Sequence, residues 1–166
     1  MNYWLIKSEG DCYSIDDLKK DMKSPWSGVR NFQARNFMRD RIKVGDLALF
    51  YHSSSTNKDL PNGVYGIAEV ASSPYTDESA FDKKDEHYDP SSDKRRVESL
   101  KNKIPFEPTW VLVDFAFKKK FDTPFTLSEI KIDPKLDGML VRQKGSRLSI
   151  QPVSEKHFNY IVTKRQ

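Results

Sequence analysis

A chain of 166 residues fits one domain and is long enough to bury a substantial core. Its hydrophobic share of 37% is low and its charged share of 31% high, and the net charge of +4 suits a polyanionic partner without singling one out. A single cysteine, Cys12, excludes an intramolecular disulfide, and no apolar stretch approaches the roughly 18 residues of a membrane helix.

In chain order, residues 3–7 are aromatic and aliphatic and predict a buried first strand rather than a signal peptide, so an intracellular protein is expected. Ser14-Ile15-Asp16-Asp17 has the form of a capping box, with Ser14 as N-cap and an acid three residues on. The helix it opens, through Leu18 and Met22, should stop before Ser24-Pro25. A second helix is expected over residues 33–39, and two core strands over 46–52 and 64–70, joined by a polar loop at 53–63. Residues 82–103 are almost wholly polar and predict a surface excursion of the one domain, with a short helix near 96–102.

Residues 110–117 resume a buried strand, which Lys118-Lys119-Lys120 should close. A second capping box, Thr126-Leu127-Ser128-Glu129, opens a brief helix ending near Asp133-Pro134. A last strand over 147–153 is followed by a terminal helix capped by Ser154 and turning Phe158, Ile161 and Val162 inward. There is no βαβ rhythm and no Gly-rich phosphate turn. The pattern predicts an α+β domain, a mixed barrel-like sheet with short helices at its rim.

Catalytic and metal spacings are missing. His52, His87 and His157 stand far apart in sequence, Cys12 has no neighbouring base, and Asp46 after Gly45 reads as a turn residue. No cofactor is expected. Two segments carry more. Trp26-Ser27-Gly28-Val29-Arg30-Asn31-Phe32-Gln33-Ala34-Arg35-Asn36 and Phe50-Tyr51-His52-Ser53-Ser54-Ser55 set aromatic faces beside hydroxyl, amide and basic groups, a mixture suited to an unstacked base and its phosphate. Trp26, between Pro25 and Gly28, is either a pocket wall or a lid over the core, and the loop setting favours the wall. Asn31 is either a helix cap or, beside Arg30 and Arg35, part of a phosphate site. Residues 142–147, closed by Arg147, form a basic loop able to clamp a backbone.

With these residues in view the chain resembles the EVE domain family of the PUA-like superfamily. The matching stretches are Tyr3-Trp4-Leu5-Ile6-Lys7-Ser8-Glu9, the Trp26 to Asn31 segment, Ala34-Arg35-Asn36-Phe37-Met38, Gly45-Asp46-Leu47-Ala48-Leu49-Phe50-Tyr51-His52-Ser53, Gly66-Ile67-Ala68-Glu69-Val70 and Arg147-Leu148-Ser149-Ile150-Gln151-Pro152-Val153. The resemblance implies a PUA-like mixed β pseudo-barrel with peripheral short helices. It also implies a pocket for a modified base, a cytosine derivative in DNA such as 5-methylcytosine, and a distant similarity to YTH domains, which hold methylated adenine in RNA. Carried over residue by residue, it implies binding roles for Lys7, Ser8, Trp26, Ser27, Val29, Arg30, Asn31, Tyr51, His52, Ser53, Arg147 and Ser149. Where the family has Pro after Ser-Glu, this chain has Gly10, and its loop after His-Ser is longer. The expected function is a non-catalytic nucleic-acid-binding module, with DNA preferred to RNA as partner and no membrane. The alternatives are an enzyme acting on nucleic acid, by base excision or RNA modification, and a protein-interaction domain.

Overall fold

Helix α1 (Ile15–Asp21) starts where the sequence places its cap. The Ser14 hydroxyl accepts from the Asp17 N–H, and Asp17 accepts from the Ser14 N–H at 2.8 Å. The same logic starts α2 (Phe32–Asp40) at Asn31, α4 (Leu127–Ile132) at the Thr126–Glu129 box, and α5 (Glu155–Lys164) at Ser154. The computed structural model describes residues 1–53, 56 and 59–165, so part of the expected polar loop, at 54, 55, 57 and 58, lies outside the described residues.

Six strands form one curled sheet, a half-barrel, in the order β2 (Lys23–Pro25), β7 (Asp114–Thr126), β4 (Gly63–Val70), β3 (Leu47–Ser53), β1 (Tyr3–Glu9), β8 (Ile150–Val153). β1 and β3 run parallel, with Tyr3 opposite Leu47 and Ser8 opposite His52. The other pairings are antiparallel, and a two-stranded ribbon, β5 (Tyr75–Thr76) with β6 (Val111–Leu112), stands apart. Among the described residues no helix is long and apolar enough to cross a membrane.

Period-two alternation divides the core between two faces of the sheet. Trp4, Ile6, Phe50 and Phe115 pack with Leu18 of α1 and Met38 of α2. Leu5, Leu49, Tyr51 and Phe121 pack with Ile130 of α4 and with Phe158 and Ile161 of α5. Because β1 and β3 are central strands, both of their faces are buried.

A buried carboxylate just before β3 is matched. Asp46, 3% exposed, accepts from the Asn2 N–H at 2.8 Å, the Lys43 N–H at 3.0 Å and the Trp4 indole N–H at 3.1 Å. Burial works to raise its pKa, but these donors outweigh it and hold the carboxyl below the usual range. Asp46 is the turn residue the sequence indicates, and it also ties the chain start to the sheet.

Three expected boundaries move. β7 does not close at Lys118-Lys119-Lys120 but continues to Thr126, because β4 pairs with it up to Lys120 and again, past a shift in register, at Phe125 and Thr126. The three lysines point to solvent, and Lys118 and Lys120 pair with Glu69 and Asp16. Helix α3 covers Pro90–Asn102, more of the excursion than expected, since Asp89 caps it and Pro90 occupies its first turn. Residues 147–149 precede the last strand instead of forming part of it.

Candidate functional site

The loop from Trp26 to Asn31 is fixed from below by an acid that the sequence did not single out. Asp77, 1% exposed, accepts from the Gly28 N–H at 2.9 Å and from the Arg30 guanidinium at 2.7 Å. Burial pushes its pKa up, and the Arg30, Ser79 and Gly28 donors more than reverse this. Gly28 takes φ +79°, and a Cβ there would meet the His87 ring at 2.8 Å, so the turn needs glycine on both counts.

Arg30 is therefore not the free phosphate ligand its position suggests. Besides Asp77 it donates to the His87 and Val29 carbonyls and to Ser79 Oγ, which leaves little of its fork for a ligand. It anchors the excursion to the loop.

Trp26 is 9% exposed and packs edge-on against Phe50 and Phe115, with ring centroids 5.6 and 5.5 Å away, and against Tyr13 at 6.5 Å. Of the two readings of this ring, the core role fits its packing. Val29 is buried in the same cluster, whereas Ser27 is exposed.

The end of β3 does not present its two rings to an opening. Tyr51 lies in the opposite core cluster from Trp26, and burial pushes its phenol up to about 12. His52, 1% exposed, stacks on Tyr65 at 3.9 Å, and its Nε2 accepts from the Ile15 N–H at 3.0 Å. It thus satisfies an otherwise unpaired amide at the start of α1. Since Nε2 accepts, Nδ1 carries the proton, and it is buried without a hydrogen-bond partner among the described residues. Gly10 lies over this ring; a Cβ there would stand 3.0 Å from Nδ1. Ser8 and Ser53 are likewise occupied, Ser8 Oγ donating to the Tyr13 carbonyl at 2.7 Å and Ser53 Oγ to the Ser8 carbonyl at 3.4 Å.

What does open to solvent is a cleft of about 400 Å³ between the start of α2 and the loop at 143–148. Asn31 and Gln33 stand on one side, and Gln143, Lys144, Ser146 and Arg147 on the other, with Leu140 and Leu148 as apolar lining. Lys7 supports the loop by donating from Nζ to the Ser146 carbonyl at 2.9 Å, and its backbone N–H donates to the Ser149 carbonyl at 2.8 Å. Burial lowers the Lys7 pKa. Gln151, fully buried, braces the same loop by donating to Ser146 Oγ at 3.1 Å and the Leu148 carbonyl at 3.0 Å. Arg147 is exposed.

The structure therefore sets Asn31 and Arg147 around one opening, while Lys7 does not line it but bonds to the Ser146 and Ser149 carbonyls of the segment that does. Trp26 and Val29 lie in the core behind α2, and Tyr51, His52 and Arg30 serve the framework. Gln33, Gln143 and Gln151 were missed as site residues, although the first two sit in the very segments that drew attention. Chemically the cleft offers amides that can read a base edge and cations that can hold a phosphate. Among the described residues no group of three His, Cys, Asp or Glu is placed to hold a metal ion.

Sheet and helices define a PUA-like domain, with its opening between the first helix after the Trp26 loop and the segment leading into β8. The chain belongs to the EVE domain family, whose profile it matches over residues 2–164. Thymocyte nuclear protein 1 from Gallus gallus is 35% identical over 97% of this chain and 67% of its own length. The Homo sapiens protein of that name is 32% identical over 98% and 73%. Among solved structures, a protein from Leishmania major is 42% identical with a TM-score of 0.84, covering 99% of this chain and 94% of its own. The human THYN1 protein, solved in complex with DNA containing 5-methylcytosine, is 31% identical with a TM-score of 0.82 over 100% of this chain and 98% of its own.

Proposed function

We propose that the protein is a non-catalytic module that binds a modified base, a modified cytosine in DNA, in the cleft between the start of α2 and the 143–148 loop. One observation carries the reading: amides and cations converge on an open cleft in a chain similar, over its whole length, to a protein solved with 5-methylcytosine DNA. In this reading Asn31, whose Oδ1 accepts from the Ala34 N–H at 3.0 Å, shapes the rim. Gln33 and Gln143 read the base edge, Lys144 and Arg147 hold phosphates, and Lys7, with its bonds to the Ser146 and Ser149 carbonyls, supports the loop. Trp26 acts from the core, holding the loop that leads into α2.

Magnitudes limit what such a cleft achieves. Flipping a base out of a duplex costs a few kcal/mol, and stacking returns about 1–3 kcal/mol per base, so duplex binding leans on phosphate contacts. A 5-methyl group adds about 0.8 kcal/mol by transfer, close to a fourfold preference. Larger discrimination requires a hydrogen bond to the modification.

The test is titration with single-stranded and duplex oligonucleotides, each carrying cytosine or 5-methylcytosine at one position, over a range of salt. The modified strand should bind about fourfold tighter or better. Log affinity should fall against log salt by roughly 0.7 to 0.9 for each phosphate engaged. Equal affinity for both bases, or affinity independent of salt, would overturn the reading.

A further inference from the structure

Resting on that reading, we infer that a second groove, built on Phe32 and Trp110 and bordered by Arg95, receives an unpaired nucleotide flanking the modified base in the same strand. Phe32 opens α2, yet its ring is 59% exposed. It lies against Trp110 with centroids 4.9 Å apart and planes inclined by 33°. The groove beside them encloses about 590 Å³, with Tyr88, Arg95 and Thr109 completing its walls. Trp110 is buried, so the aromatic surface this groove offers is the Phe32 ring.

Three features favour a nucleotide as the cover. The first is continuity. Side chains along residues 30–33 alternate between the two openings, Asn31 and Gln33 towards the base cleft, Arg30 and Phe32 towards the groove. A strand with one base in the cleft has its neighbour beside Phe32. The second is charge. Arg95 is exposed and makes no ion pair among the described residues, its one contact being a 3.4 Å hydrogen bond to Ser92 Oγ. Arg35 lies close by, 5.2 Å from the Phe32 ring centroid, and the acid in the wall, Asp89, is answered by Trp110 Nε1 at 2.6 Å, Ser92 Oγ at 2.7 Å and the Ser91 N–H at 3.0 Å. The third is the lining itself, because Tyr88 and Thr109 stand in the wall beside the Phe32–Trp110 pair. An aromatic face beside an unpaired guanidinium matches a base with its phosphate.

The experiment compares wild type, Phe32→Ala and Arg95→Ala on single-stranded pentanucleotides with a central 5-methylcytosine or cytosine, with thermal unfolding of each protein as control. Phe32→Ala should weaken pentanucleotide binding roughly five- to more than hundredfold while keeping the ratio between modified and unmodified strands. Arg95→Ala, a surface change, should reduce the salt slope by about 0.7. Unchanged affinity in Phe32→Ala and an unchanged slope in Arg95→Ala, with wild type still preferring the modified strand, would overturn this inference alone. Failure of wild type to bind either strand would overturn the base-cleft reading, and this one with it.

Discussion

Trp26→Ala should cost about 3–5 kcal/mol of unfolding free energy, because it removes a packed indole and leaves a cavity between Phe50 and Phe115. For a domain of this size that is a fall in melting temperature of roughly 6–20 °C. The ring closes the core between β2, β3 and β7, and its backbone N–H donates to the Val113 carbonyl at 2.9 Å, so the loss is not repaired by moving the loop. Loss of affinity in the molecules still folded should be secondary, transmitted through the start of α2. A melting temperature within a degree or two of wild type, with oligonucleotide affinity sharply reduced, would instead assign Trp26 to stacking on the ligand.

Acidification should remove about 3 kcal/mol of stability through His52 alone. Burial holds this imidazole at about 4 in the folded protein against an ordinary value of 6.5. A depressed folded value means that the unfolded chain takes the proton first. The contribution is therefore fully present above pH 6.5, declines as pH falls, and is gone below about 4. Carboxylates with lowered values, such as Asp46 and Asp77, act in the same direction but below their unfolded value of 3.8, outside most of this window. Denaturant unfolding at pH 7 and pH 4.5 should show the loss, and the His52 ring resonances should not titrate until pH is near 4. Titration of that ring near 6.5 would refute the buried, neutral cap on α1.

Both results turn on residues whose place the sequence disclosed only in part. Caps were legible because they are local: Ser14, Asn31, Thr126 and Ser154 each bond a backbone N–H within three residues. The mixed sheet with rim helices was legible from the alternation and the turn residues, and the family from motifs spread along the chain. Trp26 was not. Pro25 and Gly28 describe its backbone, whereas the rings that enclose it arrive from β3 and β7. The Arg30 charge looked available because its partner, Asp77, lies 47 residues away. His52 and Tyr51 were placed at a pocket because a strand end is usually half open, but β3 is paired on both edges and covered on both faces. Gln33 and Gln143 lacked a signal of their own, since an amide on a polar stretch reads as surface until the fold sets it across a cleft from another.

Base recognition in the cleft is tested most directly by an amide NMR titration of the protein with a short strand containing one 5-methylcytosine, set beside the same strand with cytosine. The largest shifts should fall at residue 7, at 31–33 and at 143–149, and be larger at equal concentration for the modified strand. Shifts confined to the separate surface around Phe125, Tyr160 and Lys164, or identical for the two strands, would contradict this reading.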